Sequence, residues 1–334
     1  VAERLLDRFD AVLSDLDGVV YAGDHAVAGA PATLARVVGD GVPVVYVTNN
    51  ASRSVDAVAR HLTDLGLPAS PEAVVSSAQA GAELLAQRLP AGTAVLVTGA
   101  PALEEVVAGA GLRPVRTQAQ APRAVVQGLD PELRWADLAE ASYVLADPDV
   151  LWIATNTDLT IPKERGMAPG NGALVAAVAT ATGRTPEVAG KPEAPIFRTA
   201  ARRVGSTRPV VVGDRLDTDV LGGNRAGFTT VAVLTGVDTR ESILAARTAE
   251  RPDHVVATLE ALLAPYPEVA AESAAGGHRA ACGTARAETD GAVLRVHGDP
   301  EDLDAWRAAC AAWWAAHPET DEPRRPELVW TGSR

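Results

Sequence analysis

Lysine is almost missing from this chain. Of its 30 basic residues only Lys163 and Lys191 are lysines, and the rest are arginines. A lysine that persists is expected where an arginine cannot serve, because the forked guanidinium and the compact ammonium differ in shape and hydration. Cysteine is just as sparse. Cys282 and Cys310 are too few for a disulfide framework and lack zinc-ligand spacing, so two reduced thiols in a cytoplasmic protein are expected. No run of about 18 apolar residues occurs, so no membrane span is expected. The opening VAERLLDRFD has no basic-then-apolar leader pattern. Cations are also outnumbered, with 30 Lys and Arg against 43 Asp and Glu and a net charge of −13. Such a surface argues against nucleic acid and membrane as partners. It would repel an anionic substrate too, so a phosphate site here must carry its own positive charge from a metal, a lysine or helix N-termini.

What is present is alternation. The 334 residues suit two or three domains, and 47% apolar with 22% charged residues is an ordinary globular composition. Apolar runs at 11–14 and 42–47 end in Asp15 and in Thr48-Asn49-Asn50. Segment 31–38 between them has helical character. Ser52 reads as a helix N-cap, followed by Val55, Val58, Leu62 and Leu65 on one helical face that Gly66 stops. The pattern resumes near 187: Lys191-Pro192 opens a helix with Pro192 at its first position, and strands at 209–212 and 229–234 end in Gly213-Asp214 and Thr235-Gly236. Continuous apolar strands alternating with helices predict a parallel sheet, whose sites form at the carboxyl ends of the strands.

The segment between these halves has its own alternation: strands at 94–98, 124–127 and 151–155, helices at 102–108, 135–141 and 172–182. The expected architecture is α/β, a Rossmann-like parallel-sheet core with an inserted α/β cap and a small C-terminal α/β extension. The core is 1–77 with 187–264, the cap 78–186 and the extension 284–334. Pro265, Pro267, Gly276, Gly277 and Gly283 make 264–283 a linker. The extension reads as strand 292–296, helix 302–316 and strand 327–330. At about 50 residues it is marginal alone, so Trp306, Trp313 and Trp314 are expected to pack it on the main body or on a second subunit, a homodimer.

Four clusters carry chemistry. In Asp15-Leu16-Asp17-Gly18 two carboxylates would repel if buried without a cation, and a divalent oxygen-seeking metal removes that cost. The same residues also read as a solvated acidic turn. Gly213-Asp214-Arg215-Leu216-Asp217-Thr218-Asp219 is a second acidic strand end, and two such ends favour a hard metal. Thr48 could donate to a phosphoryl oxygen, or cap an ordinary turn with its asparagines. Lys191 at a helix start needs anions nearby, which the aspartates supply.

In this order, DxDG, a strand-end Thr, GKP and GDxxxxD, the clusters resemble the haloacid dehalogenase superfamily of phosphohydrolases. The insertion between Thr48 and Lys191 matches the position of a type-2 cap. VTNNASRS, ATNTD, PGNGALV and GDRLDTD look like the 4-nitrophenyl-phosphatase and glycerol-3-phosphate-phosphatase subfamily. The tail is similar to a short acetyltransferase-like extension on some actinobacterial-type glycerol-3-phosphate phosphatases.

The resemblance implies a Mg2+-dependent phosphomonoester hydrolase. Asp15 is the nucleophile and forms an aspartyl-phosphate, and Asp17 is the acid and base. The Asp15 carboxylate, the Asp17 carbonyl and Asp214 hold the metal. Thr48 and Lys191 bind the phosphoryl oxygens. Asp219 orients the surroundings of Lys191 and the metal. Asn49 and Asn50 complete the phosphate side, with Asn50 also holding the nucleophile loop. Segment 155–165, with Thr160, Ile161 and Pro162, and Gln127-Gly128-Leu129 are the surfaces expected to face substrate. The expected substrate is a small phosphorylated metabolite, glycerol 3-phosphate or a similar polyol phosphate. Alternatives are a broad sugar-phosphate, phosphoglycolate or pyridoxal-phosphate phosphatase, or a non-catalytic binding protein on the same fold. The tail is too short for a complete acetyltransferase and has no convincing pyrophosphate loop.

Overall fold

The computed structural model describes residues 3–50, 53–163, 165–274 and 276–332. By internal contacts the chain forms two compact units, Val1–Val44 with Ser206–Arg334, and Val45–Gly205.

In the first unit the strands His254–Val256, Thr229–Val233, Pro209–Gly213 and Ala11–Ser14 lie side by side in that order, all parallel. Every residue of Ala11–Ser14 and Pro209–Gly213 is buried, as expected for strands covered on both faces. The expected helix at 31–38 is Ala30–Gly39. The register Ser14↔Val212 brings both strands out at one edge of the sheet, so Asp15 and Asp214 emerge together.

The stretch expected as a linker is ordered. Val269–Ala274 and Gly277–Cys282 pair as an antiparallel hairpin. The sheet continues through Ala285–Thr289 and Val293–His297, and Glu327–Trp330 adds to the last strand in parallel. Helix Leu303–Ala316 packs on this sheet. The tryptophans fasten the tail to the main body: Leu294, Val296, Trp306 and Trp313 share one core with Leu216, Val220, Ala232 and Ile243. The Trp314 Nε1–H donates to the Leu244 carbonyl at 3.1 Å, and the Arg307 guanidinium donates to the Val255 carbonyl at 2.7 and 3.1 Å.

In the second unit Val44–Thr48 pairs in parallel with Val74–Ser76. The expected cap Ser52 lies outside the described residues. Ser54 caps helix Val55–Asp64, accepting from the Ala57 N–H. A five-stranded parallel sheet runs in the order Glu187–Val188, Leu151–Ala154, Ala124–Gln127, Ala94–Thr98, Arg113–Val115. Helices Trp135–Leu145 and Asn171–Thr182 bury Ala141, Val144, Val175 and Val178 against Val125 and Trp152. The hairpin Thr160–Lys163 with Gly166–Pro169 follows Leu151–Ala154. No helix among the described residues is long and apolar enough to cross a membrane.

Candidate active site

The first unit holds an acidic constellation. One carboxylate oxygen from each of Asp15, Asp214 and Asp219 lies within 4.8 Å of the others. Asp214 is 2% exposed and Asp219 1%. Three such charges in a partly dehydrated space repel strongly. An all-oxygen, all-carboxylate set of this size fits a hard divalent cation.

The backbone shapes the cradle. The Asp15 N–H donates to the Val212 carbonyl at 2.8 Å, which fixes the start of the turn. Gly18 stands at φ +81°, and a Cβ there would fall 2.3 Å from Asp214 Oδ2. A Cβ on Gly236 would fall 1.9 Å from the same oxygen. Only glycine lets the chain close on that carboxylate from both sides. The Val237 N–H donates to Asp214 Oδ2 at 2.7 Å, the Thr235 hydroxyl to the Gly18 carbonyl at 2.6 Å, and the Leu216 N–H to Asp238 Oδ2 at 2.7 Å. The Arg215 guanidinium pairs with Asp217 at 2.8 Å. That bond, opposed by partial burial and aided by the charges of Asp217, Asp219 and Asp214, pushes its pKa above the ordinary value. Asp219, expected to stand behind the metal, is in ligand reach itself. The Asp17 side chain is exposed and outside the carboxylate triplet.

The second unit holds a different constellation around its buried lysine. Lys191 is 4% exposed. Asn49 Oδ1 accepts from the Lys191 N–H at 2.7 Å, and Asn49 Nδ2 donates to the Lys191 carbonyl at 3.0 Å. The Asn49 carbonyl accepts from the Ser77 hydroxyl at 2.8 Å and from Asn156 Nδ2 at 2.9 Å. Asn171 Nδ2 donates to the Asn156 carbonyl at 2.7 Å. Thr48, 6% exposed, accepts the Asn50 N–H on its hydroxyl at 3.1 Å. The helix expected to start at Lys191-Pro192 begins at Ala194 with Pro195 in its first turn; Pro195 has no N–H to donate to the Lys191 carbonyl, which accepts from Asn49 Nδ2 instead.

Of the expected substrate-facing residues, Thr160 is exposed and Ile161 half-buried on the hairpin. The Pro162 side chain lies outside the described residues. Gln127 is fully buried and offers no surface to a ligand. Sequence reasoning did not single out Ser77 or Asn171 as side chains of this site. Both are neutral residues far along the chain, with no charge pattern to mark them.

A family profile described as haloacid dehalogenase-like hydrolase matches residues 12–113, and one described as HAD-hydrolase-like matches residues 188–262. The chain is 41% identical, over 99% of its length and 92% of the relative's, to D-glycerol 3-phosphate phosphatase of Mycobacterium tuberculosis. The solved structure of glycerol phosphate phosphatase from Mycobacterium tuberculosis in complex with magnesium superposes with a TM-score of 0.82 at 38% identity, covering 100% of this chain and 96% of the other. A p-nitrophenyl phosphatase from Archaeoglobus fulgidus gives 0.69 at 29% identity and covers 76% of this chain and 98% of its own.

Proposed function

As the chain belongs to the haloacid dehalogenase-like hydrolases, we propose that it is a magnesium-dependent phosphatase whose substrate is glycerol 3-phosphate. The observation that carries the reading is the carboxylate triplet of Asp15, Asp214 and Asp219 at the carboxyl ends of parallel strands. The polyol substrate follows from the 41% identical relative that spans the whole chain.

Asp15, Asp214 and the Asp17 carbonyl would hold Mg2+, with Asp219 in the same ligand shell. When bound, the ion neutralises charge on the phosphoryl oxygens and offsets carboxylate repulsion. Asp15 attacks phosphorus and becomes an aspartyl-phosphate. Asp17, exposed and outside the triplet, can exchange protons. It protonates the leaving alkoxide and then takes a proton from the water that hydrolyses the acyl phosphate. Thr48 and Lys191 bind the transferring oxygens, where charge is greatest in the transition state.

We also propose that 78–186 is an inserted cap that sets specificity through Thr160, Ile161 and Pro162. The buried free thiols Cys282 and Cys310 support a cytoplasmic setting. A homodimer would cover the exposed Trp135, Tyr143, Leu159 and Met167, and sedimentation equilibrium tests it. The test of function is kcat/KM with Mg2+ on glycerol 3-phosphate, phosphoglycolate, pyridoxal phosphate and 4-nitrophenyl phosphate, with a chelator control. Full activity in excess chelator sinks the metal assignment, and a preference for pyridoxal phosphate sinks the polyol.

A further inference from the structure

The asparagine after Thr48 was expected to touch substrate. We propose instead that Asn49 is a positioning residue that sets the place of Lys191, a role that rests on the phosphoryl-binding function given to that lysine. The Asn49 side-chain amide lies along the edge of Lys191 and closes two hydrogen bonds, accepting the N–H at 2.7 Å and donating to the carbonyl at 3.0 Å. An N–H needs an acceptor and a carbonyl needs a donor, so this pairing fixes which end of the amide is which.

Asn49 is in turn pinned through its own carbonyl by Ser77 and Asn156, which are 0% and 6% exposed. Asn156 is held by Asn171, at 1%. A Cβ on Gly190 would fall 2.6 Å from Asn49 Oδ1, so the glycine before the lysine makes room for the clamp. The same Asn49 Nδ2 also reaches the Asp158 carboxylate at 3.4 Å, and the Asp158 N–H donates to Asn156 Oδ1 at 3.3 Å, so the clamp is tied down at its far side as well. The arrangement fixes the backbone of an ammonium-bearing residue through a single side-chain amide. An aspartate at 49 could accept the Lys191 N–H but would repel its carbonyl.

A double-mutant cycle separates this role from direct substrate contact. Wild type, Asn49→Ala, Lys191→Ala and the double variant are compared by kcat/KM on glycerol 3-phosphate with Mg2+ and by inhibition with orthovanadate. Asn49→Ala is expected to lose roughly 10- to 100-fold in wild type, the usual cost of removing an orienting partner. In the Lys191→Ala background it should lose no more than about 2-fold, because nothing remains to be positioned. Equal losses in both backgrounds overturn the proposal and return Asn49 to the substrate. No loss in wild type overturns it as well. If Lys191→Ala itself is near wild type, the phosphoryl-binding reading fails and the Asn49 role falls with it. Should Asn49→Ala not fold, the nearly isosteric Asn49→Asp takes its place in the cycle with the same expected coupling.

Discussion

The two units solve opposite electrostatic problems. In Val1–Val44 with Ser206–Arg334, three carboxylates crowd within 4.8 Å, shaped by glycines and by N–H groups of Arg215 and Val237. In Val45–Gly205 the backbone of the buried Lys191 is fastened by Asn49, which is held in turn by Ser77, Asn156 and the Asp158 carboxylate. One region concentrates negative charge at the carboxyl ends of parallel strands. The other fixes the backbone of a cation through a side-chain amide. The lesson is that the loss from a mutation should reveal which problem its residue solves: metal affinity in the first region, rate at saturating metal in the second.

The harshest break of that comparison is Asp15→Asn. The amide keeps the shape but cannot act as the nucleophile, and it weakens the triplet. Turnover should fall by more than about 1,000-fold, or roughly 4 kcal/mol of barrier, with the fold intact by circular dichroism. Retention of a tenth of wild-type kcat would show that Asp15 is not the nucleophile. Next is Lys191→Arg, which keeps the charge in a chain otherwise rich in arginine. At 4% exposure the larger planar guanidinium has no room, and a loss of about 100-fold in kcat/KM is expected. A near-normal value would mean that any cation suffices there.

A glycine pair sharpens the contrast directly. Gly236→Ala puts a Cβ 1.9 Å from Asp214 Oδ2, and Gly190→Ala puts one 2.6 Å from Asn49 Oδ1 and 2.5 Å from the Thr155 carbonyl. The first should raise the Mg2+ needed for half-activity by about 10-fold or more while excess metal restores much of the rate. The second should lower kcat with the Mg2+ requirement unchanged. Magnesium titrations of both variants decide it, and identical behaviour would dissolve the distinction. Smaller again is Ile161→Ala on the hairpin. Relative kcat/KM among the four phosphomonoesters should shift by about 1–3 kcal/mol, whereas a uniform change would make Ile161 a packing residue.

The same contrast explains what could be read in the sequence. The acidic region was legible because DxDG and GDxxxxD put charge at fixed spacing after apolar strands, a pattern with few structural uses. Asp219 was expected in a supporting role, and spacing alone does not tell that one of its oxygens lies within 4.8 Å of those of Asp15 and Asp214. In the second region Thr48 and Lys191 stood out, but the clamp did not. Asn49, Ser77, Asn156 and Asn171 are turn and cap formers wherever they occur, and 142 positions separate Asn49 from Lys191. The hairpin at 269–282 was missed for another reason. Its strands, VAAESA and GHRAAC, are rich in alanine, which has low strand propensity. They form because small side chains let the alanine-rich helix Leu303–Ala316 approach closely, with Ala280, Ala305, Ala308 and Ala312 all within 4% of full burial.

The mildest expected effect concerns a carboxylate away from the triplet. Asp10 receives the Ser206 hydroxyl, the Thr207 N–H at 3.0 Å, the Thr207 hydroxyl at 3.1 Å and the Arg208 N–H at 3.0 Å. It binds the first residues of the segment that returns to its unit. Partial burial alone would raise its pKa, but the Ser206 hydroxyl and the Thr207 and Arg208 N–H groups together draw it from 3.8 down to about 2. The folded state therefore holds the proton less tightly than the unfolded chain. The stabilisation is fully present above pH 3.8 and fades as pH falls through about 2. Because the group is only half-buried, solvent screening keeps the effect small. Asp10→Asn, which turns an NH2 toward those donors, should lower Tm by about 1–3 °C at pH 6. The gap to wild type should narrow between pH 4 and pH 2 as the wild-type carboxyl takes up its proton. Other carboxylates titrate in both proteins, so the difference isolates Asp10. A gap that stays constant down to pH 2 would assign the loss to shape rather than charge.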